Sequence, residues 1–118
     1  MPQHLADLAA DPRTCLLVAE QAGAVVGSVL INLCADVMYR GQPFAVLENI
    51  IVSAAVRGRG VGVALLAVAE RHCRDADCSK IMLSSSASRV DAHRFFSRAG
   101  FNGDAKRGFV KYRRHFGE

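Results

Sequence analysis

The spacing of apolar positions along the chain changes period twice, and the changes mark out its elements. In "HLADLAA" Leu5, Leu8 and Ala9 recur at helical intervals until Asp11-Pro12, which predicts a short helix ending near Ala10. Two β-rich runs follow in "TCLLVAEQAGAVVGSVLINLCA", either side of "EQAG", a hairpin turn in which Gly23 can take a positive φ. After the loop "DVMYRGQP", a third run from about Phe44 to Ser53 completes an antiparallel meander. From Val61 the period lengthens to that of a helix, "VGVALLAVAERHCRDA", apolar nearly all round at its start and charged in its last turns. "SKIMLSS" reads as a short buried strand and "SRVDAHRFFSRAGF" as a helix. That second helix has Ser88 and Asp91 at capping-box spacing, and Gly100-Phe101 at its end fit the C′ glycine and its hydrophobic follower. "GFVKYRR" is expected to close the chain as a last strand packed through Phe109, Val110 and Tyr112. The order α-β-β-β-α-β-α-β describes an α/β fold, a mixed sheet flanked by helices, in a single domain over residues 1–118.

Composition narrows the setting. A chain of 118 residues, 51% of them hydrophobic and 22% charged, can build its own core, burying roughly two-thirds of the surface its unfolded form exposes. Its apolar runs are too short to span a bilayer, and its N-terminus lacks the basic and apolar regions of a signal peptide, so a soluble cytoplasmic protein is expected with no membrane partner. Cys15, Cys34, Cys73 and Cys78 fall inside predicted strands and helices and read as reduced packing thiols. His72, Cys73 and Cys78 match no zinc spacing, so no metal is expected. Charge is divided unevenly: residues 1–56 carry two basic and five acidic groups, residues 57–118 thirteen and six. The second half is suited to anions. It has no helix-turn-helix, finger pattern or aromatic stacking face, so nucleic acid is not an expected partner.

The junction between the third strand and the long helix, "ENIIVSAAVRGRGVGVALL", has a more specific meaning. A strand that runs through a glycine-rich turn into a helix N-terminus gathers unpaired N–H groups and the positive end of the helix dipole at one point, where phosphate is the natural occupant. Gly58, Gly60 and Gly62 remove the Cβ atoms that would hold a phosphate off, and Arg57 and Arg59 add charge. Two well-known phosphate loops do not fit. No Lys-Ser/Thr pair follows as a P-loop requires, and the third glycine of a dinucleotide fingerprint would fall on Val63 or Leu65. Arg57-Gly58-Arg59-Gly60-Val61-Gly62 instead resembles the acyl-CoA motif R/Q-x-x-G-x-G/A of the GCN5-related N-acetyltransferases (GNAT), and the order of elements and the later "FFSRAGF" resemble that family too. The resemblance implies a GNAT-like fold with acetyl-CoA as cofactor. It places the amides from Arg59 through Val61 and Gly62 to Val63 on the pyrophosphate, and Ile50, Ile51 and Val52 along the pantetheine arm. Arg57 and Arg59, with Arg89 or Arg94, would meet phosphates, and His93 and Phe96 would line the cleft.

Acetyl transfer to an amine further needs a base for the amine proton and a donor to polarise the thioester carbonyl. Period-two alternation in "FAVLENIIV" puts Val46, Glu48, Ile50 and Val52 on one face, so Glu48 is expected among apolar residues, where desolvation makes a carboxylate a better base. Asn49 points to the other face, as a structural hydrogen-bonder. The resemblance implies an enzyme that transfers acetyl to a primary amine of a small molecule, with Glu48 as general base and a backbone N–H near Val52 polarising the carbonyl. Two departures stand against it. Many relatives carry a Tyr acid where this chain has Phe96, leaving Tyr112, Tyr39, Ser97 or solvent to protonate the thiolate. The family also begins with a strand and helix not found ahead of the first helix here, so an open acceptor groove, completion by a partner subunit and a shortened form of a longer protein all stay open. A non-catalytic acyl-CoA-binding module is therefore the alternative. The acceptor stays open among aminoglycosides, amino-sugar phosphates, polyamines, aminoalkylphosphonates and protein N-termini, and exposed sheet edges would allow a homodimer.

Overall fold

The computed structural model describes residues 11–37 and 40–117. The predicted first helix and Tyr39 lie outside them. The described residues up to Leu83 form one compact unit and those from Ser84 onward a second.

The first unit is a four-stranded sheet in the order β1-β2-β3-β4 with one long helix. Strand β1 (Thr14–Gln21) pairs antiparallel with β2 (Ala24–Cys34), and β2 with β3 (Phe44–Val52). The β1–β2 loop is the expected hairpin turn, and both of its residues are left-handed: Ala22 has φ 50° and Gly23 φ 81°. Two successive positive φ values make a type I′ turn, whose twist matches that of the strands it joins. Strand β4 (Ile81–Leu83) then pairs parallel with β3.

Helix α1 (Val61–Asp75) packs against β1, β2 and β3. Leu65, Ala69 and Cys73 form a stripe at intervals of four, with Leu66 beside it, and all four are buried. They meet Val29 and Ile31 of β2 and Ala45 and Leu47 of β3, the strand residues that complete the core. The four cysteines are free thiols, and Cys73 is only 1% exposed. Helix α1 ends in a Schellman motif: the Cys78 N–H donates to the Cys73 carbonyl at 2.9 Å and the Asp77 N–H to that of Arg74 at 3.0 Å, with Asp77 left-handed at φ 61°.

The second unit contains helix α2 (Val90–Arg98). Its end is the one expected: Gly100 has φ 96°, its N–H donates to Ser97 at 3.1 Å, and the Phe101 N–H donates to Phe96 at 3.0 Å. The ring of Phe101 meets that of Phe96 edge-on, 6.2 Å between centroids, which supplies the motif's apolar contact. Its beginning differs. Arg89, not Ser88, is the N-cap, and no side chain caps the helix. Ser88 spends its hydroxyl on that of Ser86 at 3.1 Å, and Asp91 pairs with Arg94 at 3.6 Å, so the capping box does not form. The expected last strand is absent as well. Residues 108–112 have no strand structure, and Phe109, Val110 and Tyr112 are 88%, 76% and 57% exposed. Strand propensity needs a partner edge, and no described residue pairs with this segment.

Candidate active site

The site is built where β3 leaves the sheet and α1 begins. The parallel pairing of β3 with β4 ends at Leu47 opposite Leu83, so from Glu48 to Val52 no strand among the described residues lies along the outer edge of β3. At the same point the strand is bulged. Leu30 of β2 faces Glu48 and Ser28 faces Ile51, so Asn49 and Ile50 together occupy the place opposite Val29. Asn49 takes the left-handed conformation, φ 54°, that makes the extra residue fit.

The bulge overturns the alternation expected for this strand. Glu48 shares its face with Ile51, not with Val52, because their partners Leu30 and Ser28 are two apart on β2. Val52 lies opposite Gly27, on the face covered by α1. Glu48 is also exposed, so the desolvated setting expected for it is not found. Ile50 and Val52 are half-buried and Ile51 is 60% exposed.

Beyond Val52 the chain makes a 3-10 turn at Ala54–Val56 that anchors Val56 in the core. The side chain of Arg57 folds back, its Nε donating to the Val52 carbonyl at 3.3 Å, which ties the end of β3 to the glycine turn. Gly58 and Gly60 both have φ 80°, and nothing lies within 4 Å of the Cβ that either lacks. Gly60 is the N-cap of α1, and no side chain caps the helix or adds an acid to its first turn. The first N–H of the helix to reach a carbonyl is that of Ala64, which donates to Gly60 at 3.0 Å. The N–H groups of Gly60, Val61, Gly62 and Val63 are thus left for an outside acceptor, with the helix dipole behind them. Gly62 differs from its neighbours in being an ordinary helical residue at the second position. Arg59 is exposed beside this row.

Arg89, His93 and Phe96 belong to the second unit. Arg89 is the exposed N-cap of α2. His93 is half-buried, and its Nε2 donates to the Ser86 carbonyl at 2.8 Å, so the ring pins the loop ahead of the helix to the helix itself. Phe96 sits between Phe95, 5.4 Å away between centroids, and Phe101. Arg94 is engaged with Asp91. Of the groups that could replace a Tyr acid, Ser97 is exposed on α2, and Tyr112 is exposed beneath the Arg114 guanidinium, 4.9 Å from its ring.

Two residues of this region have roles that the sequence reading did not give them: Asn49, expected only as a structural hydrogen-bonder, and Gly27. Asn49 carried a signal, since Asn is the non-glycine residue best suited to a left-handed bulge and it interrupts a β-branched run. Gly27 carried another, being a glycine in the middle of a strand, where one often marks a close approach.

Residues 1–101 match the model of the acetyltransferase (GNAT) family, and the chain belongs to that family. The sequence is 31% identical over 91 residues to aminoalkylphosphonate N-acetyltransferase of Salmonella typhimurium (strain LT2), covering 77% of this chain and 58% of that protein. The chain therefore spans less than two-thirds of that relative's length. Among solved structures, a candidate acetyltransferase from Agrobacterium tumefaciens (strain C58) superposes with a TM-score of 0.88 at 27% identity, over 94% of this chain and 76% of the other. AAC(6')-Iy, in complex with the bisubstrate analogue CoA-S-monomethyl-acetylneamine, superposes with a TM-score of 0.79 at 22% identity, over 94% and 79%. That last likeness is one of fold.

Proposed function

We propose that this chain is an acetyl-CoA-dependent N-acetyltransferase that acts on a primary amine of a small molecule by direct attack on the thioester, with Glu48 as general base. The observation that carries the reading is the row of four N–H groups from Gly60 to Val63 at the N-terminus of α1, which find no acceptor among the described residues. Pyrophosphate needs convergent donors and no Cβ in its way, and the open space at Gly58 and Gly60 meets the second need. A pantetheine arm carries amides that pair with a strand edge, and β3 leaves such an edge from Glu48 to Val52. When bound, acetyl-CoA supplies the activated acyl group.

The chain's own residues do the rest. Glu48 stands at the start of the open edge and is exposed, so an amine can deliver its proton to the carboxylate directly or through one water. A backbone N–H near Val52 stabilises charge on the carbonyl oxygen. Phe96 offers no proton, and a thiol with an ordinary pKa of about 8.5 leaves without a dedicated acid at modest cost. The acceptor class drawn from the Salmonella relative is an aminoalkylphosphonate, whose anionic end suits the basic second half of the chain.

The test is thiol release from acetyl-CoA in the presence of aminoalkylphosphonates and other primary amines, with Glu48→Gln beside the wild type. Glu48→Gln should lower kcat by about 10²-fold or more while acetyl-CoA affinity stays near the wild-type value. Wild-type turnover in Glu48→Gln removes Glu48 from its role. Phe96 favours one rival, a non-catalytic acyl-CoA-binding module; tight acetyl-CoA binding without amine-dependent thiol release in any pairing would establish it.

A further inference from the structure

Gly27 sits mid-strand in β2, buried, directly opposite Val52. A Cβ built on it would lie 3.0 Å from Leu65 Cδ1, 3.1 Å from Val61 Cγ1 and 3.2 Å from the Ile51 carbonyl oxygen. The glycines of the turn, Gly58 and Gly60, have open space around the missing Cβ and a positive φ, whereas Gly27 has the reverse of both. Gly27 is thus a matter of close approach, not of backbone freedom.

The three neighbours are not equally able to give way. Leu65 Cδ1 is the far end of a flexible side chain and can turn aside. Val61 is β-branched, with one strongly preferred rotamer in a helix, and the Ile51 oxygen is backbone. These two stand at the two halves of the site. Val61 is the first residue of α1 and one of the four N–H donors, and Ile51 belongs to the open edge of β3. We infer that Gly27 is a positioning residue, whose missing side chain sets the separation between the N–H row at the start of α1 and the open edge of β3. The inference rests on the function proposed above, because it gives the separation a ligand to fit: coenzyme A, with its pyrophosphate on one half and its pantetheine on the other. A molecule bound at both places is sensitive to the distance between them. A fragment bound at one place is not.

Calorimetric titration of wild type and Gly27→Ala with coenzyme A, ADP and pantetheine separates the cases. A shift of a few tenths of an ångström in α1 should weaken coenzyme A by about tenfold, while each fragment keeps its wild-type affinity. Gly27→Ala/Val61→Ala, which removes one of the two rigid contacts and leaves the Ile51 oxygen, should recover only part of the lost coenzyme A affinity. A destabilised but otherwise unaltered site would weaken ADP as much as coenzyme A, and that result overturns the inference. Unchanged coenzyme A affinity in Gly27→Ala overturns it as well. Should Gly27→Ala fail to fold, the double variant carries the same test through the Ile51 contact: coenzyme A weakened with ADP and pantetheine unchanged supports the inference, and coenzyme A unchanged, or ADP and coenzyme A weakened alike, refutes it. Wild-type protein that binds neither coenzyme A nor ADP overturns the functional reading, and the inference falls with it.

Discussion

Gly60→Ala separates the glycine turn's shaping of the chain from the phosphate binding proposed for it. Gly60 has φ 80° and ψ 8°, with no atom within 4 Å of a new Cβ, so alanine meets no steric obstacle in the protein itself. The cost to folding is that of holding an L-residue in the left-handed region, about 1–2 kcal/mol. For a chain of this length the melting temperature should fall by about 3–10 °C. On the function proposed above binding should suffer more, because a phosphate seated at the turn needs the space that a Cβ at Gly60 would take. The assay is thermal unfolding across a range of acetyl-CoA concentrations. At about 100 times its Kd a ligand adds about 2.7 kcal/mol to the folded state, so the wild type should show a clear upward shift and Gly60→Ala almost none. Gly23→Ala is the control. Gly23, in the β1–β2 turn, has φ 81° and equally open surroundings, so alanine there carries the same conformational cost at a turn that supplies none of the four N–H groups. It should melt earlier than wild type yet keep the full ligand-induced shift. A full shift in Gly60→Ala, or a lost one in Gly23→Ala, would refute the reasoning.

Burial raises the Cys73 thiol from 9.0 to about 11, with Cys78 as the next cause. Below about pH 9 the thiol is protonated in both folded and unfolded chains; above it the unfolded chain gives up the proton first, so stability should fall as pH rises from about 9 to about 11. The loss attributable to Cys73 is about 1–2 kcal/mol after allowance for solvent screening, and Cys73→Ala, though weaker at neutral pH, should lack that component in urea unfolding followed across this window. The two Schellman motifs make opposite predictions at one structural position. Gly100→Val at φ 96° should cost α2 about 1–2 kcal/mol, whereas Asp77→Gly at φ 61° should stabilise the end of α1 by about 0.5–1 kcal/mol, both read from denaturant midpoints.

Local rules carried much of the fold. The β1–β2 hairpin follows from two β-rich runs around a turn, α1 from its change of period, and the end of α2 from Gly100-Phe101, each a signal held within a few residues. The turn and the row of N–H groups proposed to seat a phosphate lie in one continuous stretch, Arg57 to Val63, and so were within reach of the same local rules. What the pattern did not carry depends on partners. The bulge at Asn49 moves Val52 onto the helix face and sets Ile51 beside Glu48, and simple alternation cannot register an extra residue. The spacing of Ser88 and Asp91 suits a capping box, but each side chain found another partner nearby. "GFVKYRR" has the composition of a strand without a neighbour to pair with. Nor does the sequence distinguish Gly27, needed for its small size, from Gly23, Gly58 and Gly60, needed for their positive φ.

The open edge of β3 has a consequence for the protein when nothing is bound to it. An unpaired edge through a run as apolar as "NIIV" is a template on which a strand from another molecule can zip, the first step towards aggregation. Asn49 interrupts the template. Its left-handed backbone breaks the regular alternation of donors and acceptors one residue past Glu48, so a pleated strand cannot follow the edge in register. A thin, flexible molecule with a few amides at its own spacing can. The bulge therefore acts as a filter on what may lie along β3, hindering strand addition without closing the edge.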